Sequence, residues 1–170
     1  DFPLHLAIIN NFPKNIITLF TDNCDLNIIP GDKKIMPIFT AIVEDNQSIY
    51  ELIDTIDFNL NLQDYTGNTA LYYCIENENY RYFDKLFNKI NFKKFKINSV
   101  NILGQTLLHY LFDNLNFLKY SIKNNHINKI VDDLLDSGCY GAKLLGAGAG
   151  GFVLGIGPVN LEEVIAKKVG

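Results

Sequence analysis

Cysteine and histidine are the residue types in this sequence with the chemistry for nucleophilic catalysis or metal binding. The cysteines, Cys24, Cys74 and Cys139, are odd in number and unevenly spaced, and neither a CxxC nor an HxxxH spacing occurs. This pattern favours small buried side chains in a reducing compartment over a disulfide framework or a zinc site. We therefore predict no catalytic residue, no metal site and no cofactor, and we expect a cytoplasmic location.

A glycine-rich segment near the C-terminus is another feature that could contact a ligand. It lies between two apolar stretches that we predict to be strands, and it consists of Gly146, Ala147, Gly148, Ala149, Gly150 and Gly151. Glycine has no Cβ, so backbone amides in such a loop can approach a phosphate or a substrate. The alternative is a glycine hairpin that joins the two strands and binds nothing.

Positive charge is gathered in one short run, formed by Lys93, Lys94 and Lys96 between two hydrophobic segments. The whole chain has a formal net charge of -4 at pH 7, whereas surfaces for nucleic acid or anionic membranes need clustered Lys and Arg. We interpret the run as a solvated turn, with an anion contact as the alternative. No apolar stretch approaches the roughly 20 residues that span a bilayer. The sequence therefore predicts neither nucleic acid nor a membrane as a partner.

The elements that would carry these residues follow an internal repeat. Four short segments align at intervals of about 34 residues. They begin at Phe2, Met36, Thr69 and Thr106. The first three are each followed by a second segment whose apolar residues recur with the period of an α-helix. The sequence therefore predicts successive helix pairs over its first two thirds.

The residues before the last two aligned segments form a second pattern, with Asp or Asn, then a glycine, then a threonine. Gly67 and Gly104 stand where a tight turn favours a positive φ. Thr69 and Thr106 are placed to cap the following helix by accepting a hydrogen bond from a free amide. Together with Thr106-Leu107-Leu108-His109, these residues resemble the D-x-x-G-x-T and T-P-L-H-x-A signatures of ankyrin repeats, whose unit is about 33 residues.

The resemblance covers residues 1–112 and implies about three to four ankyrin repeats, the first one truncated, which stack as a helical solenoid. His5 and His109 stand at the histidine of the T-P-L-H signature. There the resemblance implies a hydrogen bond that ties neighbouring turns, and this structural role is favoured over catalysis because three repeats separate the two side chains. Cys74 falls on the small-residue position, where a core side chain is expected.

A stack of ankyrin repeats implies binding to another protein through its concave face, along which turn tips and first helices align. The residues that we expect to be exposed there are Asp64, Tyr65, Tyr72, Tyr73 and Tyr110. Tyrosine is favoured at interfaces because it offers contact area and a hydrogen-bonding tip at a small entropic cost. The alternative for any one of these tyrosines is packing within the helical stack.

Residues 113–170 depart from the repeat. We predict an irregular stretch over 113–125, a helix from about Ile127 to Asp136, and then the strand, glycine loop and strand described above. From about residue 116 onward, this segment resembles the C-terminal part of GHMP-family small-molecule kinases, such as sugar and heptose-phosphate kinases. In that family the glycine loop lines the active site, which would be the role of residues 146–151 here.

The phosphate-binding motif of those kinases, P-x-x-x-G-L-G-S-S-A, does not occur in the 170 residues. Phosphoryl transfer depends on positioning and charge stabilisation around the phosphates, so a complete kinase is not expected. The sequence predicts a mainly α protein, with an ankyrin-type helical solenoid followed by a small α/β segment, that acts as a protein–protein interaction module. The alternative is a fragment of, or a fusion to, a GHMP-type sugar or sugar-phosphate kinase, with ATP and Mg²⁺ as ligands.

Overall fold

A computed structural model describes residues 3–23, 26–27, 35–92, 94–136, 141–145 and 152–156. This part of the chain is mainly helical, as the sequence predicts. No helix within it is long and apolar enough to cross a membrane. The chain divides into two compact units, Asp1–Asn114 and Leu115–Gly170.

The first unit consists of short helices in a regular order. They are α1 (Pro3–Ile9), α2 (Lys14–Asn23), α3 (Pro37–Val43), α4 (Gln47–Leu52), α5 (Ala70–Glu76), α6 (Tyr80–Asn88) and α7 (Leu107–Asp113). We call α1, α3, α5 and α7 the first helices, because they coincide with the four aligned sequence segments. The second helices are α2, α4 and α6. Each first helix packs against the next one, and α1, α3 and α5 also pack on their own second helices.

A residue with a left-handed backbone conformation follows each of the first helices α1, α3 and α5. Asn11, Asp45 and Glu78 have φ values of 50°, 48° and 51°. This conformation stops the helix and turns the chain toward the second helix, and Asn and Asp tolerate it better than most residues. The same backbone reversal therefore recurs in all three helix pairs.

The core of the first unit uses equivalent positions of successive repeats. Ala7, Ala41, Cys74 and Leu111 occupy the sixth position of the aligned segments, and each is at most 2% exposed. Burial raises the pKa of the Cys74 thiol, which keeps it protonated and unreactive. The prediction that Cys74 is a core side chain is confirmed, whereas Cys24 and Cys139 lie outside the described residues.

The turns before α5 and α7 both have the predicted glycine conformation. The helix cap predicted at Thr69, before α5, is not formed. Gly67 and Gly104 have φ values of 82° and 73°. Thr69 is the N-terminal cap residue of α5, but its hydroxyl is buried and forms no hydrogen bond to the helix. The threonine cap predicted at this position is therefore wrong.

The second unit begins with two helices, α8 (Leu115–Lys123) and α9 (His126–Asp136). The irregular stretch predicted over 113–125 is wrong, because α8 occupies most of it. Phe117, Leu118 and Ser121 are buried at helical spacing, although the Asn and Lys residues between and around them obscure this pattern in the sequence.

Two short strands complete the described part of this unit. Strand β1 (Gly141–Leu145) pairs antiparallel with β2 (Phe152–Ile156), with Gly141 opposite Ile156 and Leu145 opposite Phe152. α9 packs against both α8 and β1. The glycine loop predicted at residues 146–151 lies outside the described residues.

Candidate functional site

The candidate site is the exposed side of the first helices together with the two turns that precede α5 and α7. We call the exposed side chains of α1, α3, α5 and α7 and of the turns at 62–69 and 99–106 the first-helix surface. Equivalent positions recur along it because successive first helices pack against one another. Leu6, Ile9 and Val43 on α1 and α3 are each nearly half exposed.

The most exposed apolar side chains of this surface lie at the turn before α7. Ile102 is 71% exposed and Leu103 is 73% exposed. These two adjacent aliphatic side chains leave apolar surface exposed to solvent at the turn tip. The sequence analysis missed both residues. Their signal is the presence of two aliphatic residues between Asn101 and Gly104, inside a turn pattern.

Side-chain hydrogen bonds fix the shape of the turn before α5. The Oδ1 atom of Asp64 accepts hydrogen bonds from the amides of Thr66 and Asn68, at 2.8 and 2.9 Å. Asp64 is only 5% exposed as a result. The expectation that Asp64 is exposed to a partner is therefore wrong, because its carboxylate is used to close the turn.

The turn before α7 has the same design with an asparagine. The Oδ1 atom of Asn101 accepts hydrogen bonds from the amides of Leu103 and Gln105, both at 3.0 Å. The two turns are also joined directly, since the amide of Ile102 donates to the carbonyl of Thr66 at 2.8 Å. The exposed tip is thus held in one conformation before any partner arrives.

Tyr72 takes the packed position that the sequence left open as the alternative to exposure. It is 1% exposed, and its hydroxyl lies 3.1 Å from the carbonyl oxygen of Ser99 and 3.0 Å from that of Gln105. Burial raises the pKa of Tyr72, so the hydroxyl remains a hydrogen-bond donor. The expected exposure of Tyr72 is wrong, because this side chain ties α5 to the turn of the next repeat.

The other three tyrosines reach the surface. Tyr65 is 58% exposed, whereas Tyr73 and Tyr110 are partly buried. The ring of Tyr73 stacks on Phe39 with centroids 4.7 Å apart, and its hydroxyl donates to Asp64 Oδ2 at 2.8 Å. The ring of Tyr110 lies 4.7 Å from that of Tyr72. Each of these tyrosines can contact a partner, and the last two are also held by packing.

The two histidines of the repeat have different contacts. The Nε2 atom of His5 lies 3.0 Å from the carbonyl of Ile35, at the start of the next repeat, so the predicted tie between repeats is confirmed there. His109 instead accepts a hydrogen bond from the amide of Thr106 through Nδ1 at 3.1 Å. The predicted tie at His109 is wrong, because its bond lies at the start of its own helix, α7.

An asparagine ladder provides further links between repeats, and the sequence analysis missed it. The Nδ2 atoms of Asn46, Asn79 and Asn114 donate to main-chain carbonyls of the preceding first helices, at 3.0, 3.0 and 3.3 Å. The acceptors are Ile8, Ile42 and Ile75. In the first two cases Oδ1 also caps the following second helix. These asparagines could have been recognised in the sequence, because they recur at equivalent positions of successive repeats.

The described side chains offer no arrangement for metal chemistry. No group of three or more His, Cys, Asp or Glu residues is close enough to hold a metal ion within the described ranges. His5 and His109 bond to the backbone, and Cys74 is enclosed in the core.

Comparison with known proteins gives two matches. Residues 99–167 match the family model described as GHMP kinases C terminal. The N-terminal half is 38% identical over 87 residues to a protein of Acanthamoeba polyphaga mimivirus that is named as an ankyrin repeat protein. Both resemblances predicted from the sequence are confirmed. The aligned stretch covers 50% of this chain and 11% of the relative, so the chain spans about a tenth of the length of that protein.

The GHMP-like match begins earlier than the sequence analysis expected. It starts at residue 99 rather than about 116, and therefore includes the turn at 99–106 and α7. In the structure, these elements belong to the same compact unit as the ankyrin-like helices before them. The GHMP-like match thus begins within the first unit, before its last helix, instead of at its end.

Proposed function

We propose that this chain is a protein–protein interaction module. In this proposal, residues 1–112 form an ankyrin-type helical solenoid whose concave side is the first-helix surface, and a small α/β segment follows. The observation that carries the proposal is the fixed turn tip with two exposed aliphatic side chains, Ile102 and Leu103. The similarity to an ankyrin repeat protein supports it.

The energetics of this surface suit association. Burying a large aliphatic side chain is worth about 1.5–3 kcal/mol, and Ile102 and Leu103 are both largely available for burial. The turn tip is already ordered by Asn101, so little conformational entropy is lost when a partner binds. Tyr65, on the neighbouring turn, adds an amphipathic ring to the same surface.

A selection from a random peptide library, displayed on phage and panned on the intact chain, tests this function. We expect enriched peptides whose affinity falls at least about tenfold in the double variant Ile102→Ser, Leu103→Ser. The matched control is Leu19→Ser, which removes an aliphatic side chain that is 62% exposed on the second helix α2. Equal affinity for the double variant and the control would contradict a role of the turn tip.

A second candidate function rests on the family match at residues 99–167. We propose as the alternative that the C-terminal segment belongs to, or is fused to, a GHMP-type kinase that binds ATP and Mg²⁺. Strands β1 and β2 flank residues 146–151 in the sequence and pair with each other. The glycines between them could let backbone amides approach a phosphate. Sugar phosphates are the corresponding substrate class.

Thermal denaturation with and without ligand separates this candidate from the first. The alternative expects a dose-dependent rise of the melting temperature with ATP and Mg²⁺ or with a sugar phosphate, because a ligand that binds only the folded state stabilises it. That rise should be lost in Gly148→Val. An unchanged melting temperature for the wild-type chain would count against the kinase-like function while leaving the peptide selection unaffected.

A further inference from the structure

Positive charge is absent from the first-helix surface. The sequences of α1, α3, α5 and α7 and of the turns at 62–69 and 99–106 contain no Lys or Arg. Lys33 and Lys34 precede α3 and lie outside the described residues. Three carboxylates are exposed on this surface, one at the end of each of three successive first helices: Glu44, Glu76 and Asp113.

The described basic side chains of the first unit lie on the second helices, at the end of α6 or in the segment after it, and several are already engaged. Lys14 on α2 pairs with Glu51 at 3.2 Å. Lys85 on α6 pairs with Asp54 at 3.1 Å. Lys89, the C-terminal cap of α6, donates to main-chain carbonyls at the end of α4 and in the segment that follows it. The unit is therefore divided into an acidic, apolar first-helix surface and a second-helix layer where charges are paired.

Helix stability does not explain the three carboxylates. Glu76 and Asp113 are the last residues of α5 and α7, and Glu44 is the C-terminal cap of α3. The backbone carbonyls at a helix C-terminus favour cations and disfavour anions. Acidic residues at these three ends thus oppose the local preference, although Asp113 also accepts a hydrogen bond from Gln105 Nε2 at 3.3 Å.

An open depression lies beside the ends of α3 and α5. It is an open space of about 490 Å³ lined by residues that include Val43, Asp45, Glu78 and Arg81. The guanidinium of Arg81 is bound to Asp45, with Nε 2.7 Å from Oδ1. The carboxylate of Glu78 is exposed at the same place. The depression therefore combines apolar and acidic side chains with a cation, Arg81, that is already paired.

We infer that the first-helix surface takes a partner segment in which Lys or Arg alternates with large apolar side chains. This inference rests on the proposed interaction function and names the chemistry of its partner. The apolar side chains of the segment contact Ile102, Leu103 and Val43, while its cations lie against Glu76 and Asp113. Charge complementarity of this kind speeds association and excludes acidic partners.

Defined peptides provide the direct test. Fluorescence anisotropy is measured with three labelled peptides of about 12 residues, alternating Lys with Leu, Glu with Leu, and Lys with Ser. We expect measurable binding of the Lys–Leu peptide alone, weakened by added salt. The double variant Glu76→Lys, Asp113→Lys should lose at least about tenfold in affinity. Asp22→Lys, a charge reversal on an exposed site of α2, should change it less than about twofold.

The peptide selection distinguishes failure of this inference from failure of the proposed function. Enriched peptides rich in Lys or Arg and apolar residues, which lose binding in the charge-reversed double variant, support the inference. Enriched acidic or uncharged peptides that depend on Ile102 and Leu103 overturn it but leave the interaction function standing. Enriched peptides that depend on none of these residues, or an absence of enrichment, overturn both.

Discussion

Gly67 and Gly104 stand in equivalent turns and both have a left-handed backbone conformation, but their surroundings differ. A Cβ atom on Gly67 would lie 2.7 Å from the Cα atom of Asn101, whereas one on Gly104 would meet no heavy atom within 4 Å. The sequence predicts the positive φ of both glycines from the turn pattern. It does not predict the close approach, because that depends on the neighbouring turn packing against Gly67.

Alanine at the two glycines should separate backbone strain from steric clash. We expect Gly104→Ala to lower the free energy of unfolding by about 1–2 kcal/mol, the cost of a left-handed alanine. Gly67→Ala should lower it by about 2–4 kcal/mol, because the backbone of Asn101 must also move. Urea denaturation followed by circular dichroism measures both values. Equal losses would show that the two turns do not pack as described.

His5 predicts a pH dependence of stability. Desolvation by burial lowers the pKa of His5, although its bond to the carbonyl of Ile35 acts in the opposite direction. The unfolded chain then binds a proton more readily than the folded chain below about pH 6.5, so this contribution to stability is complete above that pH and declines as the pH falls.

The free energy of unfolding at about pH 7.5 and about pH 5 should therefore differ more in the wild-type chain than in His5→Gln. The variant is the control for the other titrating groups, which both proteins share. A difference between the two pH values that is as large in His5→Gln as in the wild type would contradict the assigned environment of His5.

Among the helices, the asparagine ladder is the device that links one repeat to the next. Asn79 is 9% exposed, and its side chain contacts the end of α3, Asp45 and the start of α6. Each partner belongs to a different element, so one side chain fixes the spacing between two first helices and the start of a second helix. Local sequence patterns indicate the helix cap but not the contacts to the previous repeat.

Replacing Asn79 with alanine should lower the free energy of unfolding by about 2–3 kcal/mol, since a helix cap and a buried hydrogen bond are lost together. Asn77→Ala is the matched control. The exposed Nδ2 of Asn77 donates to the carbonyl of Tyr73 in its own helix, so we expect a loss below about 1 kcal/mol. Thermal and urea denaturation provide the comparison, and similar losses in the two variants would refute the linking role.

Helix boundaries show which elements the sequence could specify. The first helices were predictable because a recurring motif marks the start of each one. α8 was not predictable, because Asn and Lys residues near its buried positions resemble a polar loop. The partner surface was predicted only in part for a related reason. Tyr72 and Asp64 have residue types that are common at interfaces. In the structure both are buried, and their side chains form hydrogen bonds with backbone atoms of the turns.

For the chain as a whole, two similarities meet within one short sequence. The N-terminal half is similar to an ankyrin repeat protein and residues 99–167 match the GHMP kinase C-terminal model, while the glycine loop at 146–151 stays a prediction. The absence of nucleic-acid and membrane partners and the cytoplasmic location also stay predictions. The proposal that unites the described residues is docking of a partner on the first-helix surface.

Amide hydrogen exchange with and without the most strongly enriched peptide tests that proposal most directly. If the first-helix surface is the docking site, exchange should slow in the turns at 62–69 and 99–106 and in the first helices, while α2 stays unchanged and provides the internal control. Slower exchange confined to the second helices or to the strands at 141–145 and 152–156 would contradict the account.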